Sequence, residues 1–316
     1  MGEPLIHVPG APDERRPALG YAMVWTAAIL FAVNGTVAKV ALGSGISTIE
    51  LTQVRSLGAC VGFALVLAVL RPQSLRVRLR ELPFLALFGV TGVAFVQWLY
   101  FVAIDRLPVG IALLIQYLAP LLVALFARYA MHEPVRRRVW LALALALAGL
   151  ALIVEPWSEE LALDELGLVA ALAAAGAYAL YILMAERGVR SRDPLSLSLY
   201  GFLFAGLFWL VAQPLWHFPL SLVGEPTSLL GNLAGHTAPL WLLLAFVVAV
   251  GTMLTFSLVV SALRHVSATR VGIVAMLEPV VATLVAYLWL AESLGPAQLL
   301  GGGVVLLGIV CAQTAR

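Results

Sequence analysis

The sequence predicts an all-α integral membrane protein: ten transmembrane helices arranged as two inverted five-helix repeats. Three observations carry that expectation. Of 316 residues, 62% are hydrophobic and 11% charged, against about 25% charged in soluble domains, and the mean hydropathy is +1.00. Apolar runs of about 20 residues, the length that crosses a bilayer, recur from Gly20 to the C-terminus. The second half of the chain also repeats the first.

Charged and Pro/Gly-rich breaks delimit the spans. Residues 1–19, with four prolines and mixed charge, read as a disordered cytoplasmic tail. The first span, 20–42, ends at Gly43-Ser44-Gly45, and the second, 48–70, at Arg71-Pro72. The third, 82–102, lies between the arginines of 71–80 and Asp105-Arg106; the fourth, 108–130, runs to His132. The fifth, 137–155, joins Arg136–Arg138 to the acidic stretch Glu155–Glu165. The sixth, 166–186, stops at Arg187, and the seventh, 194–216, precedes the longest inter-span loop, 217–237. The eighth, 238–262, ends before Arg264; the ninth is 267–290 and the tenth 296–313.

Alternating the loops across a membrane puts 16 of the 19 basic residues on one face, leaving Lys39, Arg55 and Arg106 toward the other. By the positive-inside rule both termini are cytoplasmic in a bacterial-type inner membrane. A wrong number of spans would scramble this asymmetry, so it supports ten. The net charge of +2 and the lack of a basic, aromatic-interleaved stripe argue against nucleic acid. Cys60 and Cys311 fall in apolar segments and read as small buried hydrophobes. No histidine pair has helical metal-ligand spacing, and no phosphate loop, nucleophile elbow or dinucleotide fingerprint occurs. Neither metal, cofactor nor enzyme activity is therefore expected. The oligomeric state is left open.

Shifted by 159 residues, "LIQYLAPLLVALFARYAMHEP" at 114–134 lies over "IVAMLEPVVATLVAYLWLAES" at 273–293. Pro120 meets Pro279, Glu133 meets Glu292, Gly92 meets Gly251 and Gly149 meets Gly308. A shift of 147 aligns the starts, 19–35 with 166–182, and the difference falls in the loop at 217–237. The repeats are therefore 20–155 and 166–313. Five spans is an odd number, so the second repeat enters the membrane from the opposite side. Such inverted repeats typify carriers with a site near the bilayer midplane.

The stretches "AIDRLPVGIALLIQYLAPLLVALFARYAMHEP" and "ALRHVSATRVGIVAMLEPVVATLVAYLWLAES", with Asn34, Gly35, Lys39 and Arg55 in the first repeat, resemble the drug/metabolite transporter superfamily, specifically its EamA-type members. The resemblance covers about 20–313. It implies secondary transport or export of small metabolites, amino acids among them. It also implies a central cavity enclosed by the first four helices of each repeat, with the fifth peripheral. No motif names a substrate.

Glu278 sits about ten residues, or roughly 15 Å, from the inner end of its span. An acid at that depth costs about 2.5–3.5 kcal/mol on insertion scales, so it must be protonated, paired or facing water. The functional reading is a coupling site or a substrate-amine site; the alternative is a neutral acid bonded to a backbone carbonyl. Its repeat counterpart is Ala119, so the fold does not require it. Pro120 and Pro279 remove an amide donor each and free the carbonyls of Gln116 and Ala275. They are hinge candidates, or static kinks. Arg55 could grip a carboxylate bidentately or brace Glu50 or Asp105. Lys39, with Arg55, is a substrate-binding candidate on the outer part of a polar path, or snorkels outward. Asn34, Gln97 and Gln116, with Trp98 and Tyr117, mark a polar, aromatic path through the first repeat; Tyr178, Tyr181 and Thr255 continue it in the second. Singly, the amides read first as interhelical hydrogen bonds and the aromatics as packing.

Together these features point to a secondary-active carrier, an exporter of a small metabolite, with protons coupled through Glu278. The rivals are an uncoupled facilitator or exchanger, and a multidrug exporter for cationic amphiphiles.

Overall fold

The computed structural model describes residues 16–107, 109–132, 134–154, 164–291 and 295–314. The terminal tail to residue 15, the Glu133/Glu292 pair and the acidic loop over 155–163 lie outside the described residues. Among the described residues, ten helices are long and apolar enough to cross a membrane. Spans 1 to 5 are Pro17–Leu42, Thr48–Leu70, Leu79–Tyr100, Ala112–Tyr129 and Arg137–Val154. Spans 6 to 10 are Glu165–Gly188, Pro194–Ala212, Leu240–Ala262, Ala268–Leu290 and Pro296–Thr314.

Two of the boundary differences from the sequence expectation have plain local reasons. Span 1 starts three residues early because Pro17 takes the first helical position, where a missing N–H matters least. Span 7 stops at Ala212 rather than 216: Gln213 turns extended and Pro214 cannot continue the amide ladder. Capping is explicit elsewhere. Ser47 and Glu50 form a reciprocal capping box at span 2, and the Asp193 carboxylate accepts from the amides of Leu195 and Ser196 at span 7.

Two spans contain a π-helical stretch. Phe88–Ala94 in span 3 and Ala249–Leu254 in span 8 are π-helical, so each widened turn leaves carbonyls without their usual amide. Hydroxyls take up the slack in span 8. Thr252 Oγ1 donates to the Val247 carbonyl at 2.7 Å and Thr255 Oγ1 to the Gly251 carbonyl at 2.7 Å. The two segments occupy equivalent places in the repeat, around Gly92 and Gly251.

Span 1 packs on spans 8 and 9, and span 6 packs on spans 3 and 4. Individual contacts between the halves come in exchanged pairs. A Cβ on Gly251 would lie 1.7 Å from Asn34 Oδ1, and one on Gly92 would lie 3.3 Å from Tyr181. Asn34 and Tyr181 are counterparts under the shift of the first helices, as Gly92 and Gly251 are under the later shift. Gly58 faces Val248 and Gly89 faces Phe204 in the same exchanged manner; Gly58 and Phe204 each lie eleven residues beyond their helix caps. Spans 5 and 10 pack along each other, Gly149 against the Gly301 carbonyl and Gly308 against that of Ala142.

On the arginine-rich face, Arg192 holds the loop between spans 2 and 3 to the start of span 7. Its guanidinium meets the Glu81 carboxylate, donates to the Arg76 carbonyl at 2.9 Å and lies 4.7 Å above the Tyr200 ring. Arg71 pairs with Asp193 at 2.7 Å beside it. On the opposite face, the loop between spans 7 and 8 forms a two-stranded antiparallel hairpin, β1 (Pro226–Ser228) and β2 (Thr237–Pro239). Trp289 Nε1 donates to the Leu229 carbonyl at 2.8 Å and Asn232 Nδ2 to the Leu288 carbonyl at 2.9 Å, tying it to the end of span 9.

Gly301→Val would drive a branched side chain into the backbone of span 5, since even a Cβ there meets the Gly149 carbonyl at 2.5 Å. Overpacking of this kind costs about 1–3 kcal/mol. The purified variant should melt several degrees lower in detergent by tryptophan fluorescence, whereas Gly303→Val, where a Cβ meets nothing within 4 Å, should melt like the parent.

Candidate functional site

Spans 4 and 9 are each broken near mid-membrane. Span 9 consists of helices Ala268–Ala275 and Leu277–Leu290, joined at Met276; span 4 breaks at Tyr117-Leu118, between helices Val109–Gln116 and Ala119–Tyr129. Pro279 and Pro120 sit in the first turn of the second piece, where an amide is dispensable. Both prolines are buried, and Pro120 packs on Gly272 of span 9. The breaks create helix N-termini inside the membrane. Glu278 lies in the first turn of one of them, where the helix dipole favours negative charge.

The break in span 4 places Tyr117 against that carboxyl. Tyr117 Oη donates to Glu278 Oε2 at 2.8 Å. Tyr117 itself is buried, while Glu278 is half-buried. The Arg55 guanidinium lies within electrostatic reach of Glu278, as do the hydroxyls of Tyr100 and Tyr178. Arg55 is steadied from the other half of the chain: its Nε donates to Thr252 Oγ1 at 3.2 Å. Its expected brace to Glu50 is not formed, because Glu50 caps span 2 by accepting from the Ser47 amide at 2.7 Å. The side chain of Asp105, the other expected brace, lies outside those described.

A cavity of about 50 Å³ opens between spans 1, 3, 6 and 8. Its walls include Phe31, Gln97, Tyr178, Tyr181 and Phe256, with Gly92 allowing the close approach of Tyr181. The rings interlock. Phe31 meets Phe256 edge-on at 5.5 Å, Tyr181 meets Phe256 edge-on at 5.9 Å and Tyr178 stacks on Tyr181 at 6.3 Å. Tyr178 belongs to both regions, its ring on the cavity wall and its hydroxyl in the field of Glu278. Gln97 Nε2 and Oε1 and Tyr181 Oη are buried, with no hydrogen-bond partner among the described residues. Each such unmade bond costs about 1–3 kcal/mol.

Of the residues singled out from sequence, Gln97, Tyr178 and Tyr181 share the cavity, while Arg55, Tyr117 and Glu278 form the charged cluster beside it. The others lie elsewhere. Asn34 is buried against Gly251 with Oδ1 unpartnered among the described residues. Thr255 spends its hydroxyl inside the π-helix. Lys39 is exposed in the last turn of span 1, Gln116 is half-buried at the end of its helix piece, and Trp98 is exposed and packs on Phe95. Sequence reasoning passed over Phe256 and gave Thr252 no role in holding Arg55. The available signal was the repeat: Phe256 is the counterpart of Gln97, and Thr252 follows the paired Gly251.

Residues 18–155 and 165–313 match the EamA-like transporter family. The threonine/homoserine exporter RhtA of Escherichia coli strain K12 is 27% identical over 259 residues, covering 80% of this chain and 78% of that protein. The uncharacterized transporter YwfM of Bacillus subtilis strain 168 is 25% identical over 255 residues, 80% of this chain and 81% of its own length. A crystal structure with 19% sequence identity superposes with a TM-score of 0.74 over 93% of this chain and 96% of its own, a likeness of fold.

Gly251→Ala should be disruptive because its new methyl would coincide with the Asn34 amide. Asn34→Ala in the same chain should recover much of the loss. A double-mutant cycle on thermal stability should return a coupling energy of at least about 1 kcal/mol, in the range of residues that share one space.

Proposed function

The chain belongs to the EamA-like transporter family, and from that premise we propose a secondary-active exporter of a small zwitterionic metabolite, an amino acid in type, coupled to protons through Glu278. The single observation that carries this is the Tyr117–Glu278 hydrogen bond inside the membrane, with the Arg55 guanidinium within electrostatic reach of that carboxyl. An α-amino acid offers the complement: an ammonium for the carboxylate, and a carboxylate for the planar guanidinium fork. The threonine/homoserine exporter among its relatives supports the same class.

The two halves act as inverted repeats in this reading. The exchanged contacts, Asn34 on Gly251 and Tyr181 on Gly92, support a two-fold relation whose axis runs near the cavity. Two similar halves that trade conformations expose the cavity to each side in turn. The repeats are 20–155 and 166–313, the termini face the cytoplasm of the inner membrane, and Pro120 and Pro279 let the half-helices tilt.

Coupling follows from competition for one carboxyl. A bare carboxylate in a low-dielectric site needs a partner. Facing outward, Glu278 releases the substrate ammonium and takes a proton. The protonated carrier returns inward, gives the proton up and accepts the next ammonium, while Arg55 engages the substrate carboxylate. Each outward substrate thus accompanies one inward proton. Tyr117 orients the carboxyl by donating to one oxygen and leaves the other for proton or amine.

In proteoliposomes, wild-type protein should move amino acids faster with an opposing proton gradient than without one. Glu278→Gln should lose that gradient dependence and at least tenfold of the driven flux. Undiminished, gradient-independent flux in the variant would remove Glu278 from coupling. Counter-flow by the wild type that ignores the gradient would favour an uncoupled exchanger, and transport of cationic dyes in place of amino acids would favour a multidrug exporter.

A further inference from the structure

Three features in the wall of the cavity converge on one residue. Among the described residues, Gln97 is the one wall residue besides the tyrosines whose side chain carries polar atoms; the remainder is Phe31, Phe256, glycine and valine. Both ends of its amide, and the nearby Tyr181 hydroxyl, are buried with no partner among the described residues. Its repeat counterpart is Phe256, which lines the same cavity, so this architecture accommodates a ring where Gln97 stands. Packing alone does not call for an amide at that place.

Native folds satisfy nearly all buried polar atoms, and those they leave unmet call for a reason. A cavity of about 50 Å³ has room for roughly three or four water-sized groups. That suits a hydroxyl-bearing or carboxamide side-chain end and is tight for an aromatic ring. The charged cluster lies to one side of Tyr178 and the Gln97 amide shares the cavity wall with that same ring, so a bound amino acid has its two charged groups and its side chain addressed by different residues.

We infer that Gln97, assisted by Tyr181, reads the substrate's side chain, selecting amino acids whose side chain both donates and accepts hydrogen bonds over apolar molecules of the same shape. This rests on the amino-acid reading above and deepens it. A hydroxyl or carboxamide meets the donor Nε2 and the acceptor Oε1 together; an isosteric methyl leaves both unmet. Discrimination built this way is asymmetric, because the penalty falls on the substrate that cannot bond.

The test uses isosteric pairs in wild-type proteoliposomes, threonine against valine and asparagine against leucine, each read as kcat/KM for export. The wild type should favour the polar member of at least one pair by tenfold or more. Gln97→Leu should bring that ratio to within about threefold of unity, chiefly by losing the polar substrate. Gln97→Asn should restore part of the preference. Each ratio is taken within one preparation, so a loss of folded protein cancels. Equal handling of both members by the wild type, or a ratio unchanged in Gln97→Leu, would overturn the role of Gln97 and leave the amino-acid reading standing. Failure of the wild type to transport any of the four would overturn the role of Gln97, and failure to transport any amino acid would overturn both.

Discussion

Asn34 and Tyr181 each press against a glycine of the opposite half, Gly251 and Gly92, and the interior is arranged around those two approaches. Without a hydrophobic force between helices in lipid, close packing of small residues does much of the work of association. Here it also sets position. The glycines lie within the π-helical turns of spans 3 and 8, so the widened backbone and the intruding side chain meet at one level of the bilayer. The aromatic cage forms at that level, between the same four spans.

The chemistry lies where the two halves depart from each other. Arg55 is eight residues past its helix cap, and the residue eight past the equivalent cap is Gly201. Glu278 answers to Ala119, Gln97 to Phe256 and Tyr117 to Met276. The scaffold therefore tolerates small or apolar groups at each place, and the polar set is an addition to it. Arg55 and Tyr117 come from the first half and converge on a carboxyl of the second, whose own helix begins one residue earlier. The breaks at the two prolines serve both ends of that meeting: one supplies a helix N-terminus for the acid, the other frees the tyrosine to reach it.

Much of this was legible in the sequence because the bilayer constrains spans so strongly. Length and apolarity delivered ten helices, and the proline pair located both mid-membrane breaks. Glu278, Arg55, Gln97 and the tyrosines were visible as polar groups in apolar runs. Sidedness within a helix was not. Trp98 and Thr255 carry the same kind of signal as Gln97, yet one is exposed and the other bonds its own backbone. The π turns explain part of that failure, since an extra residue per turn rotates every later side chain and no residue type announces it. Thr252, which accepts from Arg55, lies in the other repeat, where loop-based pairing does not look.

The hairpin between spans 7 and 8 is fastened at two points to the last turn of span 9, through Trp289 and Asn232. That turn belongs to the same unbroken helical piece as Glu278. A tilt of this piece would therefore carry the strand pair with it. The strand pair is a handle: an antibody fragment clasping it would resist the tilt without ever entering the bilayer.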